Sequence, residues 1–255
     1  MNYLAPLLSR VIAPSRAIYR NVPYGPDPQQ VGDLYLLNKG ERPLIILIHG
    51  GGWSSGDKSA YEGRARRFGL AGFHVFSINY RLATFEDKST QWPAQFADVA
   101  RALAWARDGA YAFRIDPARV CVGGDSAGGH LALMLGTTPR KPAAILNMFG
   151  PCDLRLMSDL VCQLPVFGGG PADGTACPID FLSPTFPPTV TIHGRADTVV
   201  AYEQAQRLCG KLAALGVRNT LISYDGGHEF TDLHWWREEW LELRGLWWLM
   251  WNMRG

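Results

Sequence analysis

The sequence predicts an α/β fold, with a mostly parallel central sheet and helices packed on both of its faces. Two observations carry that expectation. Short apolar runs rich in β-branched residues recur along the chain, and segments of helical periodicity alternate with them. Glycine-rich turns follow two of the apolar runs, at the strand ends where sheets of this kind bind ligands.

Taken in order, residues 1–20 read as a short amphipathic helix with Leu4, Leu7, Leu8, Val11 and Ile12 on one face. Pro6 and Pro14 interrupt this stretch and no charged segment precedes it, so it does not read as a secretory signal. Residues 31–37 alternate loosely through Val31, Leu34 and Leu36, as an early strand would. Residues 44–48 form a fully apolar run and glycines 50–52 a loop. Residues 60–71 carry Tyr61, Ala65, Phe68 and Leu70 at helical spacing and stop at Gly72. A strand is expected over 73–79, and Pro93 opens a helix to about Arg107. Residues 119–123 are strand, 127–136 helix and 143–149 strand.

The Pro-, Gly- and Cys-rich stretch 151–188 breaks the alternation. It is expected to be a compact cap-like insertion, too short for a separate domain. The pattern resumes with a strand at 189–193, a helix at 202–215, a strand at 220–224 and a final helix over about 232–253. With 255 residues and 47% hydrophobic content, the chain can fill one core, so a single domain over 1–255 is expected.

A net charge of +2 gives no case for a nucleic-acid partner. The five cysteines, Cys121, Cys152, Cys162, Cys177 and Cys209, form no CxxC pair, so neither a disulfide framework nor a zinc site is indicated. One bridge among Cys152, Cys162 and Cys177 stays open at this point, with the reducing cytoplasm as the expected setting. No run approaches transmembrane length. The triple glycine lacks the G-K-[ST] of a phosphate loop, and His228-Glu229 lacks the second histidine of a zinc motif. No metal or cofactor is expected.

The chemistry concentrates in Gly124-Asp125-Ser126-Ala127-Gly128, a G-x-S-x-G between a strand run and a helix run. A serine on such a turn is held with its hydroxyl exposed above the sheet. A serine hydroxyl is a poor nucleophile until a base takes its proton. His228, in Gly226-Gly227-His228 after the last expected strand, is the candidate base. Asp197, after the strand at 189–193, is the candidate acid that orients it. Asp225 and Glu229 are the competing acids, but lie too close in sequence to His228 to reach its far nitrogen easily. Of the other histidines, His49, His74, His130 and His193 read as structural. Gly51, Gly52 and Ala127 are the candidate donors of backbone N–H groups to an oxyanion, Ala127 at a helix N-terminus.

These motifs resemble the α/β-hydrolase superfamily, in particular esterases of the hormone-sensitive-lipase type and the bacterial feruloyl-esterase-like group. The matching pieces are His49-Gly50-Gly51-Gly52-Trp53 with Gly56-Asp57-Lys58, Asn79-Tyr80-Arg81-Leu82-Ala83, Pro93-Ala94-Gln95 with Asp98-Val99, Ile115-Asp116-Pro117, the serine motif through Leu131, and Gly226-Gly227-His228. The resemblance implies Ser126, Asp197 and His228 as a catalytic triad and assigns Tyr80 and Arg81 a structural role. Thr84 stands where the family usually has proline. The large N-terminal cap of many relatives is expected to be missing or reduced to a short segment, and His193-Gly194-Arg195-Ala196-Asp197 sits nearer the feruloyl-esterase side.

The expected function is therefore a cofactor-free serine carboxylic ester hydrolase acting on small to medium acyl esters. An amidase resembling the kynurenine formamidases is the second reading, and a ligand-binding protein that lost catalysis the third. Trp53 and Phe167, with Leu164, Val166, Phe181 and Leu182 of the insertion, are placed around the acyl pocket by position. In the tail, Trp236, Trp240, Leu243, Trp247, Met250 and Trp251 fall on one helical stripe, expected to pack on the sheet. That leaves Leu241 and Trp248 beside Arg237 and Arg244 on the outer face, expected to meet a second copy of the chain, with membrane contact the least favoured reading.

Overall fold

The computed structural model describes residues 17–37, 39–172, 174–230 and 235–253, with the backbone alone for 235 and 236. Eight strands form one sheet: β1 (Ala17–Pro23), β2 (Val31–Leu36), β3 (Arg42–Ile48), β4 (His74–Ile78), β5 (Ile115–Asp125), β6 (Ile145–Met148), β7 (Thr189–Gly194) and β8 (Asn219–Tyr224). Their spatial order is β1-β2-β4-β3-β5-β6-β7-β8. The two pairings of β2 are antiparallel and the rest parallel. The α/β class expected from the alternating pattern is the class observed.

The helices are α1 (Glu62–Leu70), α2 (Ala94–Asp108), α3 (Ala127–Leu135), the short α4 (Ser158–Val161), α5 (Glu203–Ala214) and α6 (Trp235–Asn252). Two apolar clusters lie on opposite faces of the sheet. Ile46, Ile48 and Val122 join Val99, Leu103 and Leu131 on one face, while Ile45, Leu47 and Cys121 join Phe68, Leu246 and Leu249 on the other. A central strand covered on both faces has no side to give to solvent, which is why 44–48 reads as an unbroken apolar run.

The N-terminal expectation needs correction. Residues 17–20, read as the end of a helix, belong to edge strand β1, which continues to Pro23. Backbone pairing with β2, together with Arg20 bonding Asp33 at 2.7 Å and Tyr35 at 2.9 Å, outweighs the local helical pattern. The apolar positions from Leu4 to Ile12 lie outside the described residues, as does His234.

The tail helix is rotated from its expected stripe, of which Leu243 and Met250 still pack against the core and the side chain of Trp236 lies outside the described residues. Leu241, Leu246 and Leu249 are buried and Trp248 packs against them, whereas Trp240, Trp247 and Trp251 face solvent. Charge sets that rotation. Glu242, fully buried, bonds Arg64 and also Arg67 at 2.8 Å, while Glu238 takes Arg64 at 2.8 Å. A carboxylate can be buried so deeply only when such partners meet it. All five cysteines are free. Between β6 and β7 the chain makes α4 and short 3-10 turns at Leu154–Met157, Pro165–Phe167, Gly174–Ala176 and Pro178–Phe181.

Candidate active site

Ser126 sits between the end of β5 and the first turn of α3, at φ 50° and ψ −118°. This backbone region is costly for a residue with a side chain and requires its surroundings to hold it. They do so by close approach: a Cβ on Gly128 would stand 1.8 Å from the Ile48 carbonyl oxygen, so helix and strand meet where only glycine fits. Ser126 N–H donates to the Met148 carbonyl at 2.9 Å, fixing the turn against β6.

The fold brings to this serine a histidine 102 residues further along the chain, and to that histidine an aspartate 31 residues before it. His228 Nε2 is 3.1 Å from Ser126 Oγ, and His228 Nδ1 is 2.7 Å from Asp197 Oδ2. With Nδ1–H donating to the carboxylate, Nε2 offers its lone pair to the hydroxyl. Asp197 Oδ1 accepts the N–H groups of Val199 and Val200, both at 2.9 Å. Burial pushes the Asp197 carboxyl up, but its bonds from His193, His228 and Val200 outweigh that and hold it well below the usual carboxylate range. The ring of His228 leans edge-on against Phe149, with centroids 4.9 Å apart.

The rival acids do not reach the imidazole in this arrangement. Asp225 is exposed and pairs with Arg195 at 2.8 Å, and Glu229 is exposed in a cleft shared with Phe149, Gly51 and Asp125. Among the described residues, the other histidines pack or bond within the scaffold. His49 Nδ1 bonds the Gly50 carbonyl at 2.8 Å and the ring stacks on Tyr80 with centroids 4.4 Å apart. His130 Nε2 bonds the Ala176 carbonyl at 2.7 Å, and burial lowers its pKa to about 4. Burial likewise lowers His74 to about 4. Arg81 binds the buried Asp98, with its nearest nitrogen at 2.6 Å.

Gly51 and Gly52 lie at φ 102° and 58° beside the serine turn. A Cβ on Gly50 would stand 3.3 Å from that of Ser126, which measures how closely the loop approaches the hydroxyl. Ala127 begins α3 directly after the serine. Trp53 is only 3% exposed and its indole N–H donates to His130 Nδ1 at 3.2 Å, tying the glycine loop to α3. Phe167 is half-buried near Trp92, with ring centroids 6.1 Å apart. Leu164 methyls would lie 3.5 Å from a Cβ on Gly52, so the insertion reaches over the loop. Val166 is fully buried and Phe181 exposed.

One residue whose contact is not legible in the sequence is His193. It reads as a loop-fixing residue, yet its Nε2 lies 3.3 Å from Asp197 Oδ2 as well as 2.8 Å from the Val200 carbonyl. The His-x-x-x-Asp spacing is the one signal that points to it. Among the described residues, no cluster of three or more His, Cys, Asp or Glu side chains is arranged to hold a metal ion.

The BD-FAE family model matches residues 33–212, well over half of the chain. The chain belongs to the BD-FAE family. The match covers the glycine loop and the serine motif, and ends before Gly226-Gly227-His228. Among curated proteins, esterase LipC of Mycobacterium tuberculosis is 29% identical over 246 residues, covering 83% of this chain and 59% of LipC. The probable carboxylic ester hydrolase LipM of the same organism is 28% identical, covering 68% of this chain and 45% of LipM. The chain thus spans about half to three fifths of the length of these relatives. Among solved structures, a truncated carbohydrate esterase from gut microbiota superposes with a TM-score of 0.79 at 25% identity, covering 94% of this chain and 98% of its own. An acetyl ester-xyloside bifunctional hydrolase from Caldicellulosiruptor lactoaceticus gives 0.76 at 24% identity, covering 97% and 100%. An α/β-hydrolase enzyme from a deep-sea metagenome gives 0.75 at 18% identity, in keeping with the fold.

Proposed function

We propose that this BD-FAE protein is a serine carboxylesterase that works through an acyl-enzyme on small to medium acyl esters. The observation that carries the reading is the continuous relay from Ser126 Oγ through His228 to Asp197, at 3.1 and 2.7 Å. The relatives named as esterases support the same chemistry.

In this mechanism His228 Nε2 takes the Ser126 proton as Oγ attacks the ester carbonyl carbon. The carbonyl electron pair moves onto oxygen, where the N–H groups of Gly51, Gly52 and Ala127 are the proposed donors. Asp197 stabilises the imidazolium and stays ionised. The tetrahedral adduct collapses, and His228 returns its proton to the departing alkoxide. Water, deprotonated by the same nitrogen, then cleaves the acyl-serine and restores the hydroxyl. Leu164 above Gly52 and Phe167 beside Trp92 furnish apolar surface for the acyl chain, and Trp53 supports that wall from beneath.

Hydrolysis of p-nitrophenyl esters from acetate to decanoate tests this. Activity that is greatest on short chains and lost in Ser126→Ala is expected. Silence on every ester from folded protein, with turnover of an N-formyl amide, would replace the ester reading with an amidase.

A further inference from the structure

The outer face of α6 carries a row of residues that the proposed reaction does not use. Arg237, Trp240, Arg244, Trp247 and Trp251 recur at spacings of three and four, and all five are exposed. The three indoles are 58%, 74% and 73% exposed. Soluble surfaces seldom show so much contiguous aromatic area without a partner. The Arg244 guanidinium lies 5.0 Å from the centre of the Trp240 ring, so cation and indole form one surface.

Charge on this helix is sorted by face. Its acids, Glu238, Glu239 and Glu242, all turn toward Arg64 and Arg67 of α1. Its arginines remain on the indole side. Two adjoining hollows of about 470 and 260 Å³ follow the row along edge strand β8. The first is mostly apolar, lined by Ile222, Trp240, Leu243, Trp247 and Trp248, with Arg244 and Thr220 at its edge. The second gathers Arg195, Arg237 and Arg244 around one carboxylate, Asp225, which is itself paired with Arg195. The described face is therefore aromatic along its length and cationic at one end.

We propose that this face is a docking surface for an anionic lipid bilayer, on which α6 lies in the plane of the interface with Trp240, Trp247 and Trp251 entering the headgroup boundary. Charge complementarity selects this occupant. Arg195 and Arg244 border the row beside a single carboxylate, Asp225, so the face carries an excess of positive charge that anionic headgroups complement. Indoles are favoured at the water–hydrocarbon boundary, where the ring is desolvated and the N–H stays wet. Among the described residues, no helix is long and apolar enough to cross a membrane, so α6 rests on the surface rather than spanning it. The cationic end borders Arg195 and Asp225, on the loops that also carry Asp197 and His228.

Flotation of the full chain with vesicles tests the proposal, using phosphatidylcholine alone and phosphatidylcholine mixed with phosphatidylglycerol. Co-flotation with the mixed vesicles only, with a blue shift of tryptophan emission and release by salt, is expected. Trp247→Glu combined with Trp251→Glu should weaken binding at least tenfold. Arg244→Gln should weaken it about fivefold, the factor expected for one cation near an anionic surface. Circular dichroism verifies that these exposed substitutions leave the fold intact. Failure to float with the mixed vesicles, equal binding to neutral ones, or equal binding by the variants would overturn the proposal. A two-chain mass in solution that falls to one chain in Trp247→Glu would give the face to a second copy instead.

Discussion

The Nε2 of His193 stands 3.3 Å from Oδ2 of Asp197, the same oxygen that receives His228 Nδ1 at 2.7 Å. Two imidazoles therefore converge on one buried carboxylate, and only one of them faces Ser126. His193 is a positioning residue in this arrangement, because it reaches the serine only through Asp197. Loss of a hydrogen bond to a charged group costs roughly 1.5–3 kcal/mol, or about ten- to a hundredfold in rate if the transition state bears it. His193→Ala should lower kcat by about that factor with KM little changed, and His193→Gln, which keeps an N–H donor, should recover part of it. Steady-state kinetics on a short ester decides this. Equal kcat in wild type and His193→Ala would confine His193 to holding the Val200 loop.

The glycine loop makes a sharper prediction because its glycines differ. A Cβ on Gly51 would lie 2.3 Å from the Ser55 carbonyl oxygen, a backbone atom that cannot move aside cheaply. On Gly52 it would meet only Leu164 methyls at 3.5 Å. Gly51→Ala should displace the loop and lose about a hundredfold in kcat, the usual scale for one oxyanion donor. Gly52→Ala keeps its N–H and costs about 1 kcal/mol for its left-handed backbone, so its loss should stay within about tenfold. Reversal of that order in measured kcat would reassign the donors.

Acid should destabilise the fold through its buried histidines. His130 is held neutral, with its pKa lowered by burial from 6.5 to about 4. The unfolded chain binds that proton first, so the stabilisation is complete above about pH 6.5 and is lost as pH falls toward 4. The single group accounts for roughly 3 kcal/mol over that window, and His74 adds in the same direction. Urea unfolding at several pH values should show a shallower acid decline in His130→Gln, which cannot titrate but can still accept from Trp53 and donate to Ala176. Parallel declines in the two proteins would exclude His130 as a source.

Much of the site is legible in the sequence because its demands are local. The turn around Ser126 requires glycine where β5, α3 and the carbonyl of Ile48 crowd together, so Gly124 and Gly128 announce it. A strand covered on both faces has no side to give to solvent, so the unbroken apolar run 44–48 announces the sheet centre. Spacing and composition are enough to record such constraints. Other features rest on pairings that no local pattern contains. In the sequence, the preference for Asp197 over Asp225 and Glu229 rests on motif order, whereas the observed geometry depends on how β7 and β8 lie side by side. The β1 edge strand is held by β2 and Asp33 rather than by its own periodicity. The rotation of α6 cannot be read from a helix with tryptophans on several faces. Arg64 and Arg67, more than 170 residues away in the chain, decide it by drawing Glu242 inward and leaving three indoles in solvent.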